Sequence, residues 1–164
     1  MNEAETEYAW LFATEFRPVA RTVYLIVHDR GRAEDITQDA FVELLRRWHR
    51  ISRYDRPGAW VRRIAIRMAI RDAGRERRRS AAEGEAPPPA TTEPADIDLL
   101  RAVGSLPPMQ RAAVVLYYFE DRPVAELADI LSCADATVRV HLSRGRRRLA
   151  DLLSEELEAV DDAP

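Results

Sequence analysis

Arginine supplies every basic side chain of this sequence, and it is concentrated in two blocks. The 164 residues include 25 basic residues, all of them arginine, and 28 acidic residues. Thirteen arginines lie between Glu43 and Arg79 with only four acids, which gives this block a charge of +9. Five more lie between Arg139 and Arg148 with no acid. Because a guanidinium group fits phosphate oxygens and the edge of guanine, the blocks predict two surfaces that bind a polyanion. The alternative is that each block is only the solvated face of a helix.

Residue patterns typical of catalysis or of metal binding are missing from the sequence. The single cysteine cannot form an internal disulfide or a metal cluster, which favours a cytoplasmic protein. His28, His49 and His141 have no metal-ligand spacing, and neither common glycine-rich phosphate motif occurs. The acidic N-terminus does not look like a signal peptide, and no stretch is apolar over the ~20 residues of a membrane span. We therefore expect no enzyme activity, metal, cofactor, small-molecule substrate or membrane insertion.

A polar segment, residues 80–96, separates the two basic blocks. It contains four prolines, four acids and no large apolar residue, so it cannot bury a core. Segments of this composition behave as linkers. The sequence therefore predicts two compact domains, residues 8–79 and 97–157, joined by a flexible linker.

Apolar residues repeat at helical spacing throughout both predicted domains. The first domain has three such faces, formed by Val19, Val23, Ile26 and Val27, by Ile36, Ala40, Phe41, Leu44, Leu45 and Trp48, and by Trp60, Val61, Ile64, Ala65, Met68 and Ala69. We expect Gly31 to break the first helical pattern and Pro57 to lie in the first turn of the third helix. No period-two pattern typical of a strand occurs, so the fold is predicted to be all-α.

The second predicted domain ends in a helix-turn-helix pattern. A short apolar run, Val124–Leu131, is followed by the turn Ser132–Ala134 and by a longer helix that starts at about Asp135. Val138 and Leu142 lie on the apolar face of that helix, and its arginines fall largely off this face. A short helix, a tight turn and a second helix with a basic outer face are typical of DNA-binding proteins.

Three motifs give the sequence a resemblance to a known family. The first is AEDITQDAF at residues 33–41, which is similar to A-E-D-hydrophobic-x-Q-[DE]-x-F. The second is PGAWVRRIA at 57–65, similar to P-x-A-W-L-x-R-I-A. The third begins with LPPMQR at 106–111, which is similar to L-P-x-x-x-R, and continues with VAELA at 124–128, which is similar to E-I-A. It ends with ATVR at 136–139 and LSRGR at 142–146, which together are similar to G-T-V-[KR]-x-R-L-x-R-A-R. In this order they resemble the sigma-70 family of bacterial RNA polymerase sigma factors, in its extracytoplasmic-function (ECF) group.

The resemblance implies that core RNA polymerase and promoter DNA are the partners. By this resemblance, one helix docks on the coiled-coil clamp of the largest polymerase subunit through Asp35, Gln38, Asp39 and Leu44. The first basic block would hold the melted non-template strand of the −10 element through Arg53, Arg56, Arg62, Arg63, Arg67 and Arg71. The recognition helix would read the −35 element through Arg139, His141, Ser143 and Arg144, with Arg147 on phosphate. The acidic linker would thread through the polymerase, and an anti-sigma factor could restrain the protein.

The departures from the family pattern include four residues of the predicted DNA-binding elements. Ser132 and Ala134 occupy turn positions where the family usually has Gly and Ser. Ala134 lacks the hydroxyl oxygen with which a serine caps the start of the helix, and losing that cap costs ~1 kcal/mol of stability unless another group offsets it. Arg67 replaces a frequent Asn, and His141 replaces a usual Arg. These departures concern promoter preference and leave the class of protein unchanged.

Two other classes of protein fit parts of the sequence. A stand-alone helix-turn-helix regulator would bind DNA tightly without polymerase and would usually dimerise, but its first domain would have no use for the repeat of Arg63, Arg67 and Arg71. An RNA-binding or RNA-processing protein could use the same basic blocks, although no acid pair supports a catalytic version. Phe41 and Trp60 are interpreted as core residues in either case, and Cys133 as a small buried residue.

Overall fold

The structure, a computed structural model, describes residues 2–84 and 94–161, with side chains described for 99–154 in the second range. All regular structure within these residues is helical, which confirms the predicted all-α fold. The chain divides into two compact units, the first ending at Asp72 and the second beginning at Ala73.

The first unit is built from α1 (Glu3–Val27), α2 (Arg30–Arg46), α3 (Trp48–Ile51) and the beginning of α4 (Pro57–Glu83). The second contains α5 (Pro94–Ser105), α6 (Pro108–Val114), α7 (Val124–Leu131) and α8 (Asp135–Asp161), and a π-helical turn, Val115–Phe119, continues α6 directly. Both ends of the predicted linker are therefore helical. Its middle, residues 85–93, lies outside the described residues, and the domain bounds given above stay a prediction.

The junction of α1 and α2 differs from the predicted one. The first helix ends at Val27 because His28 adopts a left-handed conformation, with φ of 57°. Asp29 then begins α2, since its Oδ1 accepts a hydrogen bond from the amide of Arg32 at 2.9 Å. Gly31 therefore lies inside the first turn of α2 and does not cause the break. Asp29 supplies the capping signal.

The core of the first unit follows the predicted apolar faces in most positions, but Leu45, predicted on the second face, is 54% exposed. Val19, Val23 and Ile26 of α1 are fully buried, as are Val61 and Ala65 of α4. Phe41 of α2 is also buried, and its ring lies 5.0 Å from that of Phe12 and 5.7 Å from that of Phe16, both on α1. Tyr8 reinforces this packing, because its hydroxyl donates to the carbonyl of Phe41 at 2.9 Å.

A buried arginine organises the second unit. Arg111 of α6 is only 8% exposed, and its Nη2 donates to the carbonyl of Leu106 at 3.0 Å and to that of Gly104. These carbonyls lie at the end of α5, where helix geometry leaves them without partners within the helix. Pro107 precedes α6, and Pro108 fits its first turn. The L-P-x-x-x-R motif is thus a structural device that joins α5 to α6.

Candidate polymerase and nucleic-acid interfaces

The predicted polymerase-binding residues lie on one exposed flank of α2. Asp35, Gln38 and Asp39 are all exposed, and their spacings of three and four residues place them side by side. Ala40 and Phe41 lie on the opposite, buried face of the helix. The flank therefore offers two carboxylates and an amide to a partner.

Leu44 does not belong to this flank. Its side chain is 0% exposed because it packs in the core of the first unit together with the buried face of α2. It has no free surface for a partner, which corrects the sequence interpretation. Val42 and Leu45, at 45% and 54% exposure, are the apolar residues that α2 does present. Helical spacing places both beside Gln38.

An arginine stripe, defined here as Arg63, Arg67 and Arg71, runs along α4. Its members repeat every four residues, while Val61, Ala65 and Ala69 face the core. Burial lowers the pKa of the Arg67 guanidinium, and the positive charges of Arg63 and Arg71 lower it further. Arg63 and Arg71 therefore repel the guanidinium of Arg67, and an anion bound beside it reduces this repulsion.

The other predicted −10 residues fall into two groups. Arg53 and Arg56 are exposed in the segment that precedes α4. Arg62 is different, because only 18% of its side chain is exposed and its Nη2 lies 3.2 Å from Oε2 of Glu15 on α1. Arg53 and Arg56 thus lie at the surface near the start of α4, whereas Arg62 forms an ion pair within the first unit.

The predicted recognition helix is α8, and it begins at Asp135 as expected. Val138, Leu142 and Gly145 are buried against the rest of the unit. The candidate contacts that the structure leaves exposed on α8 are Arg139, Ser143, Arg144 and Arg147. Of these, Arg139, Ser143 and Arg147 repeat every four residues and share one face, as base-reading and phosphate-binding side chains of a recognition helix must.

His141 is less accessible than the other predicted −35 residues. It is half-buried, and its Nδ1 is enclosed without a hydrogen-bond partner in the described residues. Burial lowers the pKa of the imidazole, and the nearby charge of Arg144 lowers it further. The charged form of this side chain is therefore disfavoured, and its Nδ1 is closed to a partner.

The sequence reasoning missed an aromatic patch formed by Tyr117, Tyr118 and Phe119 on the π-helical turn. All three rings are partly exposed, Tyr118 at 51%. The hydroxyl of Tyr118 accepts a hydrogen bond from Nη1 of Arg146 at 3.2 Å, which raises the pKa of that guanidinium. Helical periodicity gave no warning, because it treated this run as one more turn of α6. Three consecutive aromatic residues just before Asp121 were the available signal.

Neither a metal-ligand cluster nor a membrane-spanning helix occurs among the described residues. Within residues 2–84 and 99–154, no three histidine, cysteine, aspartate or glutamate side chains come together as metal ligands would. Across the same residues, no helix combines the length and the apolar character that crossing a membrane requires. Cys133 is half-buried in the turn before α8, and burial together with Asp135 raises the pKa of its thiol.

Family models match both units. The model of sigma-70 region 2 matches residues 11–79, and that of sigma-70 region 4 matches residues 96–149. Hence the first basic block and α2 belong to the first region, and the recognition helix belongs to the second. The alternative of a stand-alone helix-turn-helix regulator is not favoured, because it does not account for region 2.

Individual proteins agree with these matches. The probable RNA polymerase sigma factor RfaY of Xanthomonas campestris pv. campestris is 31% identical over 151 residues, which cover 81% of this chain and 37% of RfaY. The ECF RNA polymerase sigma factor SigM of Mycobacterium tuberculosis is 30% identical over 151 residues, 87% of this chain and 75% of SigM. The sigma factor RpoE of Bartonella quintana, solved with the anti-sigma factor NepR, shares the fold with a TM-score of 0.68 and 24% identity, over 90% of this chain and 97% of that chain.

These similarities establish the family. The chain belongs to the ECF group of the sigma-70 family of RNA polymerase sigma factors. It spans 37% of the length of RfaY and a larger share, 75%, of SigM.

Proposed function

We propose that this chain is a transcription initiation factor that binds core RNA polymerase in the cytoplasm and recognises the −10 and −35 elements of promoters. It is not itself an enzyme in this proposal. The observation that carries it is the arginine stripe on α4, which lies within the region 2 match and is separate from the recognition helix. A regulator that reads duplex DNA through one helix-turn-helix does not need this second basic surface.

The stripe fits single-stranded DNA well. Guanidinium groups spaced along a helix neutralise successive phosphates, and their planes can stack on bases that have left the duplex. Binding energy for the open strand then favours melting of the −10 element. We assign the strand to Arg63, Arg67 and Arg71, with Arg53 and Arg56 near the start of the helix. Arg62 is left out of this set because only 18% of its side chain is exposed.

A randomised −10 library tests this assignment. The holoenzyme with wild-type protein, Arg67→Ala or Arg67→Asn transcribes the library at two salt concentrations. Arg21→Ala is the matched control, since it removes an exposed arginine of α1. If Arg67 reads a base, its loss costs ~1–3 kcal/mol at one position and relaxes the preference there. We expect that result, with guanine or thymine, which offer acceptors, preferred by the wild type. A uniform loss at all promoters, with the salt slope reduced by about one, would instead make Arg67 a phosphate contact.

The polymerase interface is assigned to the exposed flank of α2. Two carboxylates in an otherwise basic region suit a basic partner, and Val42 and Leu45 extend the flank with apolar surface. Asp39→Arg should therefore weaken binding to core polymerase without changing helicity. Glu7→Arg makes the same charge change on α1 and serves as the control. Normal co-purification of core polymerase with Asp39→Arg and with Asp35→Arg would show that the interface lies elsewhere.

The −35 element is assigned to α8. Arg139, Ser143 and Arg144 are near enough to the start of the helix to reach base edges, and Arg147 lies a turn further on, where phosphate contacts are expected. His141, which is half-buried, is the least accessible of the proposed contacts. An anti-sigma factor is a further proposed partner, because the related RpoE was solved in complex with one.

A further inference from the structure

Glu15, Gly58 and Arg62 form a contact between α1 and α4 that the proposed function does not use. Nη2 of Arg62 donates to Oε2 of Glu15 at 3.2 Å, although the residues are 47 positions apart in the sequence. The side chains of Arg62 and Glu15 are 18% and 29% exposed. Solvent therefore screens this pair less than it screens an exposed ion pair.

Gly58 provides the space for this pair. A Cβ atom on Gly58 would lie 3.1 Å from Cδ of Glu15 and 3.3 Å from its Oε1, closer than most real contacts. The carboxylate of Glu15 therefore lies directly against the first turn of α4. Amide groups in the first turn of a helix carry a partial positive charge, so Glu15 interacts favourably with the end of the helix as well as with Arg62.

Arg62 is poorly placed to contact DNA. Its Nε is buried and has no hydrogen-bond partner among the described residues, and its Nη2 is engaged by Glu15. Turning the guanidinium toward a nucleic acid would remove this partner from a partly buried carboxylate, which is unfavourable.

A second long-range pair lies further along the same helix. Arg32 of α2 donates through Nη2 to Oδ2 of Asp72, and both side chains are partly buried. The arginine stripe lies between Arg62 and Asp72 in the sequence. The beginning of α4 is thus joined to α1 before the stripe and to α2 after it.

We infer that Glu15, Gly58 and Arg62 are positioning residues, which fix the start of α4 against α1 and thereby place the arginine stripe for the melted strand. The effect on promoter opening rests on the proposed function, whereas the effect on the position of α4 does not. Arg62 acts through the stripe in this scheme and does not touch the strand.

A charge exchange tests the inference. The variants are Glu15→Gln, Arg62→Glu and the double variant Glu15→Arg/Arg62→Glu, with Glu7→Gln as a control that removes an exposed acid from the same helix. Promoter opening by the holoenzyme is measured from the permanganate reactivity of thymines. The position of α4 is followed in the free full-length chain by the NMR signal of the Trp60 indole N–H, because Trp60 lies in the first turns of α4.

We expect each single variant to reduce promoter opening roughly tenfold, as the loss of a charge-assisted hydrogen bond suggests, and to shift the Trp60 signal. Binding to core polymerase should not change, the double variant should restore most of both readouts, and Glu7→Gln should leave both unchanged. If Arg62 contacts the strand itself, the double variant will not recover opening, and Glu15→Gln will leave opening unchanged or increase it. Either result overturns the inference.

Two further outcomes keep the test decisive. If Arg62→Glu does not fold, Gly58→Ala takes its place, because it leaves both charges present and should shift the Trp60 signal as Glu15→Gln does. An unshifted signal in both Gly58→Ala and Glu15→Gln overturns the inference. If wild-type holoenzyme opens no promoter while the double variant restores the Trp60 signal, the proposed function fails and the positioning role stands.

Discussion

Gly145 of α8 packs closely against α6. A Cβ atom on Gly145 would lie 2.8 Å from Cγ2 of Val114 and 3.7 Å from the carbonyl oxygen of Gln110. Val114 is 1% exposed, and its β-branched side chain has few alternative rotamers. The sigma pattern R-A-R has alanine at this position, so the substitution Gly145→Ala asks whether this chain depends on the closer approach.

The geometry sets the expected effect of Gly145→Ala. The contact must lengthen by at least 0.6 Å, from 2.8 Å to the 3.4 Å at which ordinary contacts begin. Overpacking of this kind costs ~1–3 kcal/mol, while replacing glycine by alanine inside a helix contributes ~1 kcal/mol in the opposite direction. We therefore expect the second unit to lose about 1 kcal/mol, and we expect Val114→Ala to suppress the loss by removing the clashing methyl group.

Native-state hydrogen exchange of buried amides in α6 and α8 measures this change in the full-length chain. Gly74→Ala is the matched control, because its Cβ would meet only Nη1 of Arg78 at 3.6 Å, so α4 should gain stability. A clash at Gly145 is refuted if Gly145→Ala stabilises α6 and α8 as much as Gly74→Ala stabilises α4. It is also refuted if Val114→Ala and Gly145→Ala prove simply additive.

Three further predictions concern the second unit. Arg111→Ala should lower the free energy of unfolding by ~1–3 kcal/mol, because it leaves the buried carbonyl of Leu106 and the partly buried carbonyl of Gly104 without this donor. An unchanged melting temperature would contradict this. The pKa of His141 in the folded protein lies below its ordinary value of 6.5. The stability that His141 contributes is therefore present above pH 6.5 and is lost as the pH falls toward the folded pKa. The loss of stability in acid, measured by urea unfolding, should be smaller in His141→Asn. Burial and Asp135 raise the pKa of the Cys133 thiol, so iodoacetamide should alkylate it slowly at pH 8. Asp135→Asn should speed the reaction. Equal rates in the two proteins would show that Asp135 does not raise the pKa of the thiol.

The fold was largely predictable because helical periodicity and breaking residues agree along most of the chain. Pro57 begins α4, and the run Val124–Leu131 is α7 with the bounds that the sequence indicated. The break after α1 was misplaced because glycine was given more weight than an aspartate cap. The π-helical turn after α6 was unpredictable, since no periodicity distinguishes it from an α-helical turn. These two differences concern local hydrogen bonding, to which a pattern of apolar residues is insensitive.

The sites were harder to predict because residue type alone does not say where an arginine or a leucine points. The position of a residue around the helix axis does indicate where its side chain points, and it could have separated Arg62 from the arginine stripe. Residues four, seven and eleven positions after Arg62 are Ile66, Ala69 and Ala73, which are all buried, so Arg62 continues an apolar face and not the line of Arg63, Arg67 and Arg71.

The same argument separates Leu44 from its neighbours on α2. Leu44 follows Thr37, Ala40 and Phe41 on the buried face, whereas Val42 and Leu45 follow Gln38 on the exposed flank. In both helices the residue that was assigned to a partner by its type is in fact held by the core. A charged or apolar residue should therefore be assigned to a partner only after its position relative to the buried face of its helix has been established.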